Sequence, residues 1–328
     1  MKYRLLGKTG FSVSEISLGT WQTGGKWGSA FSFKNAEQII NGAIDNGINF
    51  IDTADVYSAG MSEVAVGRVV RSRSDRIFVA TKCGRQLNPH NNVGYQPAVL
   101  RKFVEDSLKR TGLNTIDLIQ LHCPPTEVYY RPEIFETFSR LKEEGKILNM
   151  GVSVEKVDEA LKAIEYPNVS TVQIIFNLFR QKPAELFFSE AKKQNIGIIV
   201  RVPLASGLLT GMFNANTVFE AGDHRQFNRN GEAFDKGETF SGINYELGLK
   251  AVDELKDLFP KFKNLAPVAL KWILNFPEVS CIIPGASRTE HVLSNLSVYN
   301  IPDFSLDKIL SMNNIYNKYI KKEVHDLW

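Results

Sequence analysis

Short apolar, β-branched runs recur along the chain at ISLGT, INFIDTA, IFVATK, IDLIQLH, ILNMGVS, TVQIIF, IGIIVRV and CIIPG. They are near-continuous rather than alternating, the pattern of parallel strands covered on both faces. Between them the apolar period lengthens to that of helices, over Asn35–Asn46, Ser62–Val70, Pro97–Thr111, Pro132–Glu144, Glu155–Ile164 and Ala184–Gln194. A helical pair at Tyr245–Phe259 and Leu265–Phe276 and a last repeat helix at Arg288–Leu296 follow. The boundaries carry their own chemistry. Ser62 suits an N-cap, Pro97 and Pro132 suit first-turn positions, and Gly47, Gly112 and Gly145 follow helices where a left-handed residue is favoured.

Eight strands, each followed by at least one helix, predict an α/β fold, a closed (β/α)₈ TIM barrel. An open doubly wound sheet is the alternative. The first strand-to-helix turn, LGTWQTGG, lacks the dinucleotide fingerprint of such sheets, and no phosphate-binding loop of the Walker type occurs. KYRLLG and FSVSEI around Lys8-Thr9-Gly10 predict an N-terminal β-hairpin, and Leu306–Lys322 an extra C-terminal helix able to close one end of the barrel. The polar, irregular stretch 206–244 is long for a loop in a compact domain, hence functional or mobile. At 328 residues the chain exceeds the usual domain length of roughly 150, but a barrel accommodates residues 1–328 as one domain.

Composition narrows the function classes. The net charge is +3, with Lys and Arg scattered, so no nucleic-acid partner is expected. The densest basic stretch, Arg71 to Arg76, falls at a helix C-terminus, where cations offset the dipole. The three cysteines fit neither a zinc site nor a disulfide framework, and no metal is expected. MKYRLLGKTG has no signal-peptide core, and IGIIVRVPLASGLL is too short to span a bilayer. These features predict a cytoplasmic protein without a membrane partner, and imply no particular oligomeric state.

Asp52, Tyr57, Lys82 and His122 sit at or just past the ends of three successive strands. In a barrel, strand C-termini form the catalytic face, so the four would converge. Singly each has an ordinary structural role: a turn aspartate, a rim aromatic, a paired lysine, a core histidine. Together they make an acid with a relay. A tyrosine hydroxyl, with its pKa near 10, needs a nearby cation to favour ionisation, Lys82 supplies one, and the buried ammonium needs Asp52. Neutral His122 could orient a carbonyl and stabilise charge on its oxygen. The set lacks a hydride source, which points to a bound reductant.

GINFIDTADVY, VATKCG and DLIQLHCP resemble the aldo-keto reductase superfamily, in its bacterial-type branch, along essentially the whole chain. The resemblance implies NADPH (NADP+) as cofactor and a small-molecule carbonyl as substrate, reduced to an alcohol or formed in reverse. It implies that Ser153 and Gln173 hold the carboxamide, and that Pro203, Leu204, Ser206, Gly207 and Leu209 lie in a loop around the pyrophosphate. Gly285, Ser287, Arg288, His291 and Asn295 match the adenosine-phosphate site, and Thr20 and Trp21 complete the cofactor set. Arg201 stands where an aromatic ring usually stacks on the nicotinamide, Val154 replaces a common Asn, and His291 with Ser294 replace longer polar residues. Trp21, Trp27, Phe31, Tyr129, Tyr130 and Trp328 lie in loops able to line the substrate pocket. GDHR at 222–225 also resembles relatives, with no derivable role. Two alternatives remain: a channel-associated β subunit retaining a nucleotide site, and a lyase forming a Schiff base on Lys82.

Overall fold

The computed structural model describes residues 1–25 and 29–328; Trp27 lies outside the described residues. Tyr3–Leu5 (β1) and Ser12–Ser14 (β2) form the expected antiparallel hairpin. Eight parallel strands follow in sequence order: Leu18–Gly19 (β3), Phe50–Asp52 (β4), Phe78–Cys83 (β5), Ile116–His122 (β6), Ile147–Ser153 (β7), Val169–Ile175 (β8), Gly197–Arg201 (β9) and Val279–Ile282 (β10). Parallel bridges Ile16–Ile282 and Gly19–Gly285 join the first and last strands, so the sheet closes. Closure explains the near-continuous apolar runs: one face of each strand fills the barrel and the other meets the helices.

The helices begin and end close to where the sequence placed them. Pro97 and Pro132 open theirs, and Gly112 closes one with a left-handed φ of 66°. Ser62 is a correction. Its helix starts at Met61 behind left-handed Gly60, and the buried Ser62 hydroxyl bonds Thr53 (2.9 Å) and Thr20 (2.8 Å) instead of capping.

The barrel floor is closed from the N-terminus. The N-terminal hairpin covers that end: Leu6 and Val13 pack with Phe50, Ala80, Leu118, Ile199 and Cys281 in one apolar cluster. The chains approach so closely here that a Cβ on Gly7 would lie 2.1 Å from the Gly197 nitrogen. Arg4 of β1 also donates to the carbonyls of Leu274, Phe276 and Val279, satisfying acceptors left open at the end of the helix Ala266–Leu274. The C-terminal segment from Leu306 instead lies beside the helix Tyr245–Leu258, where Lys318 and Tyr319 hold Glu254.

The stretch 206–244 folds back over the mouth of the barrel in short helical turns. Asp235 accepts from the Trp328 indole at 2.9 Å, and the Arg180 guanidinium lies 3.6 Å from that ring. No helix among the described residues is long and apolar enough to cross a membrane.

Candidate active site

Period-two geometry aims alternate residues of each strand into the barrel. From β4, β5 and β6 this brings Asp52, Lys82 and Gln120 together. Lys82 Nζ forms a buried ion pair with Asp52 Oδ1, donates to the Thr53 carbonyl (2.8 Å) and stands 3.2 Å from the Tyr57 hydroxyl. The other Asp52 oxygen accepts from Gln120 (3.0 Å) and Gln173 (2.8 Å). Such an ion pair needs its remaining lone pairs satisfied to persist in a low dielectric, and the two amides do this.

Past β4 the backbone turns sharply. Ser58 (φ 49°), Ala59 (φ 53°) and Gly60 (φ 86°) are all left-handed, and this run directly follows Tyr57. Left-handed non-glycine residues cost energy and concentrate at functional sites. Tyr57 stacks on Trp21 at 5.9 Å and meets His122 edge-on at 6.0 Å.

The electrostatics assign protonation states. Burial alone would lower the pKa of Lys82, but Asp52 and Tyr57 overcome it and the net shift is upward. Burial raises Tyr57 and Lys82 opposes the rise without bringing the hydroxyl below its ordinary value. Burial, then Arg85 and Lys82, hold His122 well below its ordinary value, so it is neutral.

A cleft of about 1390 Å³ runs from this tetrad to Arg288. Asp52, Tyr57, His122, Thr20, Trp21, Gln173, Arg201, Pro203, Leu204, Ser206, Gly207, Gly285, Arg288, His291 and Asn295 line it. Ser153, Leu209 and Ser287 do not. Ser153 is buried with its hydroxyl 3.5 Å from Cys123 Sγ, Leu209 belongs to the core, and the Ser287 hydroxyl faces His291 Nδ1 at 3.4 Å.

Among the described members of that set of loop aromatics, only Trp21 reaches the cleft. Tyr129 is packed in the core, Tyr130 faces outward under Lys162, Phe31 meets Phe33, and Trp328 pins the 206–244 stretch. Phe213 and Phe234 of that stretch line the cleft instead. GDHR gains a role: Asp223 caps a short helix and holds Arg225, which reaches the Ser206 carbonyl at 3.4 Å.

Three charged residues escaped sequence reasoning. Arg85 donates to Glu238 (2.9 Å) and lies 3.4 Å from His122 Nε2, while Arg201 donates to Glu155 (2.7 Å). Arg201 is therefore held by carboxylates.

The cleft suits an extended dinucleotide. Its volume exceeds the roughly 300–1,000 Å³ of ordinary ligand sites. Val202 (φ 50°) and Ser206 (φ 55°), which line it, and Ala205 (φ 46°) between them are left-handed, a severe conformation for β-branched Val202. Among the described residues a Cβ on Gly285 would meet only Gln22 Oε1, at 3.8 Å, and Gly285 lines the cleft, so the Cβ would project into cleft space. Arg288 Nε donates to His291, and its guanidinium has no carboxylate partner among the described residues.

The sequence profile of the aldo/keto reductase family matches residues 15–317. The chain belongs to the aldo/keto reductase family. It is 31% identical over 295 residues to the aldo-keto reductase YhdN of Bacillus subtilis, covering 88% of this chain and 86% of that one. It is 29% identical over 318 residues to the NADH-specific methylglyoxal reductase of Escherichia coli, covering 92% and 94%. The structure of a glycerol dehydrogenase from Gluconobacter oxydans superposes with a TM-score of 0.79 at 28% identity, covering 100% of this chain and 98% of that one. This aldo/keto reductase is thus an oxidoreductase built on a (β/α)₈ barrel.

Proposed function

We propose that the protein, acting as one domain, reduces an aldehyde or ketone to the alcohol with NADPH, Tyr57 being the proton donor. The observation that carries this reading is the 3.2 Å contact between Lys82 Nζ and the Tyr57 hydroxyl, backed by the buried Asp52 carboxylate. When bound, the cofactor supplies hydride to the carbonyl carbon. Tyr57 delivers its proton to the carbonyl oxygen, and the Lys82 ammonium steadies the resulting tyrosinate. Asp52, fixed by Gln120 and Gln173, keeps Lys82 charged and in place. Neutral His122 lines the cleft, and in the tautomer protonated at Nε2 it gives that N–H to the carbonyl oxygen as charge builds there. Walls formed by Trp21 and Phe234 exclude water and strengthen these interactions.

Arg288 supports the preference for NADPH over NADH. Its guanidinium lines the cleft, held by His291 through Nε, and its two terminal nitrogens make no hydrogen bond to the described residues. A 2′-phosphate would take charge-assisted bonds from it. A Schiff-base role for Lys82 is disfavoured, because its upward-shifted pKa keeps the amine protonated and non-nucleophilic. Loss of NADPH absorbance against a panel of sugars, aromatic aldehydes and dicarbonyls tests the proposal. Turnover supports it, and NADPH binding without turnover of any carbonyl favours a β-subunit-like binding protein.

A further inference from the structure

The mouth of the barrel holds a charge cluster of Arg85, Arg201, Glu155 and Glu238, in which Arg85 and the two glutamates have no part in the proton delivery proposed above. Glu238 Oε1 accepts from Arg85 Nη1 at 2.9 Å and lies 3.5 Å from Arg201 Nη1, while Arg201 Nη2 holds Glu155 at 2.7 Å. Oxygens of the two carboxylates come within 4.8 Å of each other. Burial raises Glu155, with Arg201 opposing and Glu238 adding to the rise. Burial would raise Glu238 too, but Arg85 and Arg201 hold it low. Two carboxylates this close retain one proton between them near neutral pH, as like charges cannot both ionise cheaply. Two guanidiniums then face a single negative charge, and the cluster is one anion short.

The position of Arg85 says where that anion would sit. Its Nη1 serves Glu238 and stands 3.4 Å from His122 Nε2, beside the site of the carbonyl oxygen. The guanidinium face lies 5.5 Å from the centre of the Phe234 ring, but its Nε and Nη2 have no hydrogen-bond partner among the described residues, and the side chain, 20% exposed, lines the cleft. The Nε–Nη2 edge is a two-donor fork that matches the two oxygens of a carboxylate.

We propose that the preferred substrate is a 2-oxo acid, whose carboxylate takes the open edge of Arg85 while its keto oxygen meets Tyr57 and His122. This rests on the carbonyl reduction proposed above. The carboxylate of a 2-oxo acid begins one bond from the carbonyl carbon, in keeping with the adjacency of Arg85 and His122. Hydride adds to the keto carbon and the Tyr57 proton to its oxygen, giving the 2-hydroxy acid.

The test compares kcat/KM for glyoxylate and for glycolaldehyde, alike in size and differing in charge. Wild type favours glyoxylate at least tenfold, Arg85→Gln reduces that ratio at least tenfold, and Arg85→Lys, with charge but no fork, retains part of it. A wild-type ratio near one, or a ratio unmoved by Arg85→Gln, overturns the proposal. Calorimetric titration with oxamate, in which an amide replaces the reducible carbonyl, reads binding apart from turnover. Binding weakened at least tenfold in Arg85→Gln supports the site, and equal or absent binding overturns it. Oxamate bound through Arg85 in a protein that reduces no carbonyl would leave the anion site standing and remove the reductase reading.

Discussion

The Lys82 ammonium lies 3.2 Å from the Tyr57 hydroxyl and 4.8 Å from the centre of its ring, close enough to bias where the phenolic proton resides. Burial pushes the Tyr57 pKa up and Lys82 is the principal group pulling it back. Lys82→Met removes that pull, so the pKa rises further. In alcohol oxidation, which needs the tyrosinate, the pH at which activity appears should move upward in the variant, and the plateau should fall. A pH–rate profile checks both, and a profile in the same place as wild type would show that Lys82 does not govern Tyr57. Mass spectrometry after borohydride should detect no substrate adduct on wild-type Lys82.

Asp55 supplies a separate prediction about stability. Both its carboxylate oxygens are buried and, among the described residues, accept no hydrogen bond of good geometry; burial, with Glu63 adding and Arg110 and the Val56 backbone opposing, raises its pKa from 3.8 to about 7. The folded protein therefore binds this proton more tightly than the unfolded chain does. The resulting stabilisation is fully present below about pH 3.8, declines as the pH rises, and is gone above about pH 7. Asp55→Asn should gain on wild type across that window, by up to about 4 kcal/mol in all. Urea unfolding of both proteins at several pH values checks it, and a pH-independent difference would contradict it.

Arg288 carries the cofactor preference. Charged hydrogen bonds contribute about 1.5–3 kcal/mol each, so one good contact to a 2′-phosphate gives roughly tenfold discrimination or more. Arg288→Ala should weaken NADPH while leaving NADH nearly unchanged. Dissociation constants for both nucleotides decide it. A preference that survives the substitution, or none in wild type, would assign the phosphate elsewhere or remove it.

Gly285 tests whether the cleft is the cofactor site. A Cβ there meets, among the described residues, no protein atom closer than Gln22 Oε1 at 3.8 Å. Gly285→Val should fold normally and bind nucleotide at least about tenfold more weakly, a loss of roughly 1.4 kcal/mol. Unchanged affinity, with circular dichroism confirming the fold, would place the nucleotide outside this cleft.

The barrel was legible because its signals are local: apolar runs of strand length, prolines and glycines at helix ends, and an acid, a cation and an imidazole at strand ends. Gln120 was also within reach. It lies two residues before His122 in IDLIQLH and so shares its inward face, and a lone amide in a buried apolar strand marks a partner requirement. Arg85, Glu155 and Glu238 offered no such signal, since their pairings join Arg85 to a residue 153 positions away in a polar stretch without periodicity. Ser62 misled because Gly60 and the strained turn after Tyr57 set the helix start one residue earlier. Tyr129 and Trp328 misled because aromatic character alone does not separate a pocket wall from core packing or a loop anchor.

Tyr57→Phe is the most direct test of the account. The substitution keeps the ring and its stacking on Trp21 and deletes only the proton donor. NADPH-dependent reduction by the variant should fall by about 10² or more, as loss of a general acid does, while NADPH binding measured by fluorescence quenching stays within a few-fold of wild type. Near-normal turnover by a variant that binds NADPH normally would contradict the assignment of Tyr57 as the acid.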